Sequence, residues 1–292
     1  MLKEIIKKIL PQKFVDQVIK YRNRKRKLFM DRDFLSYVKR KKIGFEKNLE
    51  TMEILALRGS HADYGILTDH EKSLYNLGLT STDIYFNYKL YEAYSQKMTN
   101  LNSVIFFYSV FTPGLSLIKI SEKYRLVAYK KYFGVAYQEE GVLDCKLEAK
   151  ILKECNKIKK INVREDYRGY ENNHHFITDI PVEKRAKIHL RENIRKPDQL
   201  IWLEKLVESV TRDNRKLYIV IPPAQKAYVN SLPHKSELFL GAYNFQSENV
   251  CIMDFYDSPI FEDSDLGDYD HLNEKGAFKL TSEVLRRIEN AR

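Results

Sequence analysis

The sequence predicts an α/β protein: a parallel five-stranded sheet covered by helices on both faces. Three observations lead there. Five short runs (MEILAL, SLYNLGL, SVIFFYSV, KLYIVI and NVCIMDF) are nearly continuously apolar, as strands buried on both sides are. Helical periodicities lie between them, and strand-helix alternation is the signature of parallel pairing. Most of the runs stop at a glycine or proline, which punctuate elements.

Taken in order, residues 1–50 form a basic, helical extension. Leu2, Ile5, Ile6, Ile9 and Leu10 share one helical face, Pro11 interrupts, and Phe14, Val15, Val18 and Ile19 restart the stripe before YRNRKRK. Such a stripe either packs on the body with its basic face in water or lies on an anionic membrane surface. Residues 51–292 form the main domain. Its first strand, MEILALRGS, ends in Gly59-Ser60, and its second, SLYNLGL, ends near Gly78. TSTDIYFNYKLYEAYSQKM opens on N-cap residues and continues as a helix. SVIFFYSVFTPG is a third strand, stopped by Pro113 and Gly114.

Residues 115–195 break the alternation. KLEAKILKECNKIKK has a helical pattern, whereas NVREDYRGYENNHHFITDIP is polar and irregular. The stretch is expected to be an insertion folded over one end of the sheet, as a lid or substrate wall. The helix DQLIWLEKLVESVTRDNRK then feeds KLYIVIPPA, a fourth strand stopped by Pro222 and Pro223. NVCIMDFYD is the fifth strand and EKGAFKLTSEVLRRIENAR the closing helix. The result is a three-layer α/β/α, flavodoxin-like domain.

Composition narrows the function classes. A hydrophobic share of 43% is globular, and a net charge of +10 favours anionic neighbours such as headgroups, phosphates or acidic glycans. No nucleic-acid-binding signature accompanies the charge, so nucleic acid is not an expected partner. Three cysteines without metal-ligand spacing fit a reduced, cytoplasmic protein, peripheral at the inner membrane face if the extension binds lipid. MLKEIIKKILPQKF lacks the apolar core and cleavage site of a signal peptide. No apolar run approaches the roughly 18 residues of a membrane span. No metal or cofactor is expected.

Ligands of an open parallel sheet collect at the carboxyl ends of its strands. There the sequence sets Arg58-Gly59-Ser60-His61, Asn76-Leu77-Gly78, Ser109 to Gly114, and the loop that carries Asp268 and His271. A serine, a glycine and an Asp-x-x-His pair are the parts for nucleophilic acyl transfer. Ser60 needs a base to take its proton as it attacks, and His271 can act if Asp268 holds its other ring nitrogen. Asp270, adjacent to the histidine, is less able to turn its side chain onto it. The amides of Ser60 and Gly78 are candidate donors to the oxyanion, each worth on the order of 3 kcal/mol of barrier. Arg58, His61, Thr112 and Tyr228 are placed as substrate contacts. Arg58 can meet a phosphate or acidic sugar, or pair with a rim carboxylate. Pro222, Pro223 and Gln225 join Tyr228 in a pocket wall. His174 and His175 are metal ligands or insertion-surface residues, and no clustered carboxylate or cysteine favours the metal.

These motifs resemble the SGNH (GDSL-like) hydrolase superfamily. LALRGSHADYG stands where that family has its nucleophile block, NLGLTSTD resembles the oxyanion-hole block, and DYDHLNEKGA resembles the last block. The resemblance spans the ends of residues 52–289 but not the first fifty, and is closest to bacterial members associated with cell-surface polysaccharides and D-alanylation of teichoic acids. It implies a serine esterase or O-acyltransferase working through acyl-Ser60 on a carbohydrate or glycolipid, with an acyl donor if the reaction is transfer. Two departures stand out. The first block reads Gly-Ser-His, not Gly-Asp-Ser, and YSVFTPG lacks the third block's asparagine. Ser109, Thr112 or a backbone amide replaces that donor, or it is missing. The alternative is a non-catalytic glycan- or partner-binding protein on a degenerate form of the fold.

Overall fold

A computed structural model describes residues 32–69, 71–172, 174–194 and 198–291. The apolar stripes and basic run of residues 1–27 lie outside them. Strands β1 (Ile54–Leu57), β2 (Leu74–Leu77), β3 (Ser103–Phe107), β4 (Lys216–Ile221) and β5 (Val250–Asp254) form one sheet in the order β2-β1-β3-β4-β5. Every pairing is parallel. This is the flavodoxin-like order, and it sets the β1 and β3 ends on either side of the topological switch point where ligands collect.

The main helices are α1 (Arg32–Lys47), α2 (Gly59–Gly65), α3 (Ile84–Tyr94), α4 (Leu126–Phe133), α5 (Cys145–Lys157), α6 (Val182–Ile194), α7 (Leu200–Arg212) and α8 (Glu274–Asn290). Strand side chains alternate between two apolar layers, as a pleated backbone requires. Leu55, Leu57, Val104 and Phe106 join one core with Val38 and Phe45 of α1, Phe86 of α3 and Leu206 of α7. Ile54, Ala56, Ile105 and Phe107 join the other with Ala62 of α2 and Leu280 and Val284 of α8. The three-layer α/β/α architecture follows. Side-chain caps fix the helix starts: Asp83 accepts from the Phe86 amide at α3, and Asn273 from the Gly276 amide at α8.

Residues 115–195 contain α4, α5 and α6 with an irregular stretch between the last two. Leu126 and Tyr129 of α4 enter the main core, while Val127 and Ala128 pack with Ile151 and Cys155 of α5. The irregular stretch closes the β2 edge, where the Asn76 amide donates to the Arg168 carbonyl at 2.8 Å. Gly169, at φ +93, makes that approach feasible, since a Cβ there would meet the Asn76 oxygen at 2.0 Å. Among the described residues no helix is long and apolar enough to cross a membrane.

Candidate active site

The chain leaves β1 through a sharp turn. Arg58 and Gly59 both have positive φ, 83° and 65°, and the reversal starts α2 with Ser60 in its first turn. The Gly59 amide donates to Thr82 Oγ1 at 3.0 Å, which ties this turn to the segment after β2. Ser60 Oγ lies 2.7 Å from His271 Nε2.

His271 comes from a tight loop ahead of α8. Leu266 and Leu272 form an isolated antiparallel bridge, and the Gly267 amide donates to the His271 carbonyl at 2.9 Å. Inside that loop Asp268 turns back on itself. Its Oδ1 accepts the Asp270 and His271 amides at 3.1 and 2.9 Å. The same Oδ1 lies 3.0 Å from His271 Nδ1. Asp270, one residue from the histidine, stays 3.8 Å from that nitrogen. Asp268 is therefore the orienting carboxylate. With Nδ1–H on Asp268, Nε2 is free to accept the serine proton, and Ser60, His271 and Asp268 form one continuous relay.

Residues far from the sequence motifs complete the ionic setting. Arg185 of α6 donates from Nε to Asp270 Oδ1 at 2.6 Å, and its Nη2 lies 3.5 Å from Asp268 Oδ2. His61 stacks on His271 with ring centroids 4.6 Å apart, and its Nε2 lies 3.4 Å from Asp270 Oδ2. Burial opposes charge on His271, yet Asp270 and the bonded Asp268 outweigh it and hold its pKa above the ordinary histidine value. Burial also raises the Asp268 pKa, but the His271 bond dominates and leaves it below the usual carboxylate value. His61 and His189 face no comparable compensation, and burial pulls each down to about 4. Among these buried histidines, His271 is the one placed to carry a proton near neutrality.

Other expected residues fall differently. Gly78 does not offer its amide to Ser60. Asparagine 76 turns its side chain back and accepts that N–H at 2.9 Å, while the missing Cβ lets Gly78 pass the α2 backbone, where it would meet Asp63 N at 2.2 Å. The glycine is needed for packing, and the Ser60 amide, in the first turn of α2, remains the candidate donor. Thr112 is spent on the turn after β3: its Oγ1 accepts the Ser109 amide at 2.7 Å, and the residue is fully buried. Neither Ser109 nor Thr112 lines the cleft with Ser60, so neither replaces the third-block asparagine. Tyr228, Pro222 and Pro223 line a smaller, separate cavity shared with His61 and Asp270, and the Tyr228 hydroxyl sits 2.6 Å from His189 Nδ1.

The irregular stretch before α6 packs against the Asp268 side of the triad. His174 is half-buried and faces the site: its ring stacks on Tyr64 at 4.0 Å, and Tyr64 lies 5.1 Å from the His271 ring. His175 is exposed, and the Ile177 amide donates to Asp268 Oδ2 at 3.1 Å. Arg185 and His189 were not legible as site residues from motif order. The available signal was Pro181 as a helix start followed by an i, i+4 Arg-His pair on one face.

A cleft of about 430 Å³ opens onto Ser60, walled by Phe111, Leu115 and Ile188 and by the polar residues Thr82, Lys119 and Arg191. Among the described residues one group has the spacing of a metal set: ligand atoms of His61, Asp270 and His271 lie within 4.8 Å of one another. A cation bound there would draw on a His271 nitrogen already engaged by Ser60 or Asp268. Comparison of the chain with protein-family models, curated proteins and solved structures finds no match.

Proposed function

We propose that this protein is an SGNH-type serine enzyme that transfers an acyl group from an ester through an acyl-Ser60 intermediate. The observation that carries the reading is the unbroken contact series Ser60 Oγ–His271 Nε2–His271 Nδ1–Asp268, at 2.7 and 3.0 Å. Ser60 Oγ attacks the ester carbonyl while its proton passes to His271 Nε2. The oxyanion meets the Ser60 amide, collapse breaks the ester C–O bond, and the alcohol leaves with the proton from His271. His271 then deprotonates the acceptor, which takes the acyl group and frees Ser60. Water as acceptor makes the enzyme an esterase, and a sugar hydroxyl makes it an O-acyltransferase.

The motif resemblance supports a carbohydrate or glycolipid substrate, and the basic residues 1–31 support contact with an anionic membrane face. Flotation with anionic vesicles checks the second point: removal of residues 1–31 should abolish it, and undiminished flotation sinks the membrane role.

Acid-quenched incubation with an activated aryl acetate tests the central reaction. The peptide bearing Ser60 should carry an acetyl group, with free acetate released in water and acetylated sugar formed when a sugar acceptor is present. One observation favours a second reading, a glycan-binding protein without catalysis: Gly78, Ser109 and Thr112 all fail to supply the oxyanion hole. Glycan binding with no acyl-Ser60 at any aryl acetate concentration would favour it.

A further inference from the structure

The cleft that exposes Ser60 also holds a cation with two nitrogens whose donors are unmet. Arg58 lines it two residues before Ser60, and the residue is 1% exposed. Its Nε and Nη2 are buried without a hydrogen-bond partner. A guanidinium brings five N–H donors in a rigid fork and keeps its charge, so such burial is expensive unless something answers it. The rings of Phe106 and Phe111, each 5.8 Å from Cζ, supply attraction but no acceptor.

The other charges around the cleft are answered locally. Lys119 pairs with Asp198, Arg191 lies 3.6 Å from Glu192, and Glu122 contacts Ser81 and Arg125. Asp83 acts on Arg58 through space, but its two oxygens receive the Phe86 and Leu117 amides. The Arg58 backbone adopts a φ of 83°, which a non-glycine residue rarely takes. The residue is thus held, at conformational cost, in a buried setting beside Ser60.

We propose that Arg58 receives an oxyanion on the substrate, a uronate carboxylate or a sugar phosphate, so that the cleft selects acidic sugars over neutral ones. This deepens the acyl-transfer reading and rests on it for what Ser60 does to the bound molecule. Both anions ask for the same chemistry: charge-assisted N–H donors in a planar fork. The cleft, at about 430 Å³, falls in the size range of small-molecule sites.

The test measures melting temperature at constant ionic strength with methyl glucuronide, glucose 1-phosphate or methyl glucoside. An acidic sugar should raise it in a saturable way, in wild type and in Ser60→Ala, while methyl glucoside should not. Arg58→Gln should lose the rise and Arg58→Lys should keep part of it. A response to the glucuronide alone assigns a carboxylate, to the phosphate alone a phosphate, and to both a general oxyanion site. Equal responses to acidic and neutral sugars, no response to either anion, or an undiminished rise in Arg58→Gln would overturn the proposal.

A second readout needs only wild type. Acidic sugar should slow fluorophosphonate labelling of Ser60 several-fold more than methyl glucoside at equal concentration, and equal protection contradicts the proposal. The two ideas fail separately. Labelling of Ser60 without anion selectivity removes the oxyanion site and leaves the serine chemistry. An Arg58-dependent anion response without labelling keeps the site and removes the chemistry.

Discussion

Lys41 Nζ lies 2.6 Å from Asp63 Oδ1, with both side chains buried. The pair joins α1 to α2, the helix that begins at the Ser60 turn. Tyr37 adds a second link, donating to Asp63 Oδ2 at 2.8 Å and approaching the Gly78 carbonyl at 3.0 Å. Lys41 also donates to the Asn76 carbonyl at 3.1 Å. Although the basic stretch before residue 50 reads as an extension, its last helix is part of the platform under Ser60.

Removing one partner of such a pair strands the other. Lys41→Met should destabilise the fold by about 3 kcal/mol, the low end for breaking a buried ion pair, because the buried Asp63 carboxyl already has a raised pKa and can protonate. Lys41→Met with Asp63→Asn should recover part of the loss. Urea unfolding of the two variants measures it, and a single variant as stable as wild type would remove this link from the account.

Asp268 and Asp270 are separated by one residue but make different contacts with His271. Asp268→Asn should slow acylation on the order of ten-thousandfold, because an amide no longer fixes the Nδ1–H tautomer. Asp270→Asn should cost less, since Asp270 acts on His271 through space and chiefly anchors Arg185. Pre-steady-state acylation rates rank the two, and the reverse order would contradict the assignment.

The pH dependence has a defined sign. His271 must be neutral to take the serine proton, and its pKa is held above 6.5, so acylation should fall as pH drops through an inflection above that value. Asp270 raises this pKa and Arg185 lowers it. Asp270→Asn should therefore move the inflection down and Arg185→Met should move it up. Rate profiles over the neutral range give the shifts, and shifts of opposite sign would refute the electrostatic account.

The sheet was legible because buried parallel strands are written as apolar runs, and β1 to β5 fall inside the runs that predict them. The spacing from Asp268 to His271 was also legible, since a short loop can return a carboxylate to a ring three residues on. α6 was hidden for a physical reason. It turns Arg185 and Glu192 inward as well as Ala186, so no apolar stripe marks it. α2 was hidden because GSHADYG is short and begins and ends with glycine. Gly78 was misread because a glycine needed for close packing and one that presents an amide look alike in a sequence. Only the Asn76 side chain, folded back onto that amide, tells them apart.

The central claim is an activated serine at position 60. Fluorophosphonate labelling read by intact mass tests it on wild type, Ser60→Ala and His271→Ala. The account predicts one stoichiometric adduct on wild type, none on Ser60→Ala and strong suppression in His271→Ala. An unlabelled wild type across pH 6 to 9, or an adduct that persists in Ser60→Ala, would contradict it.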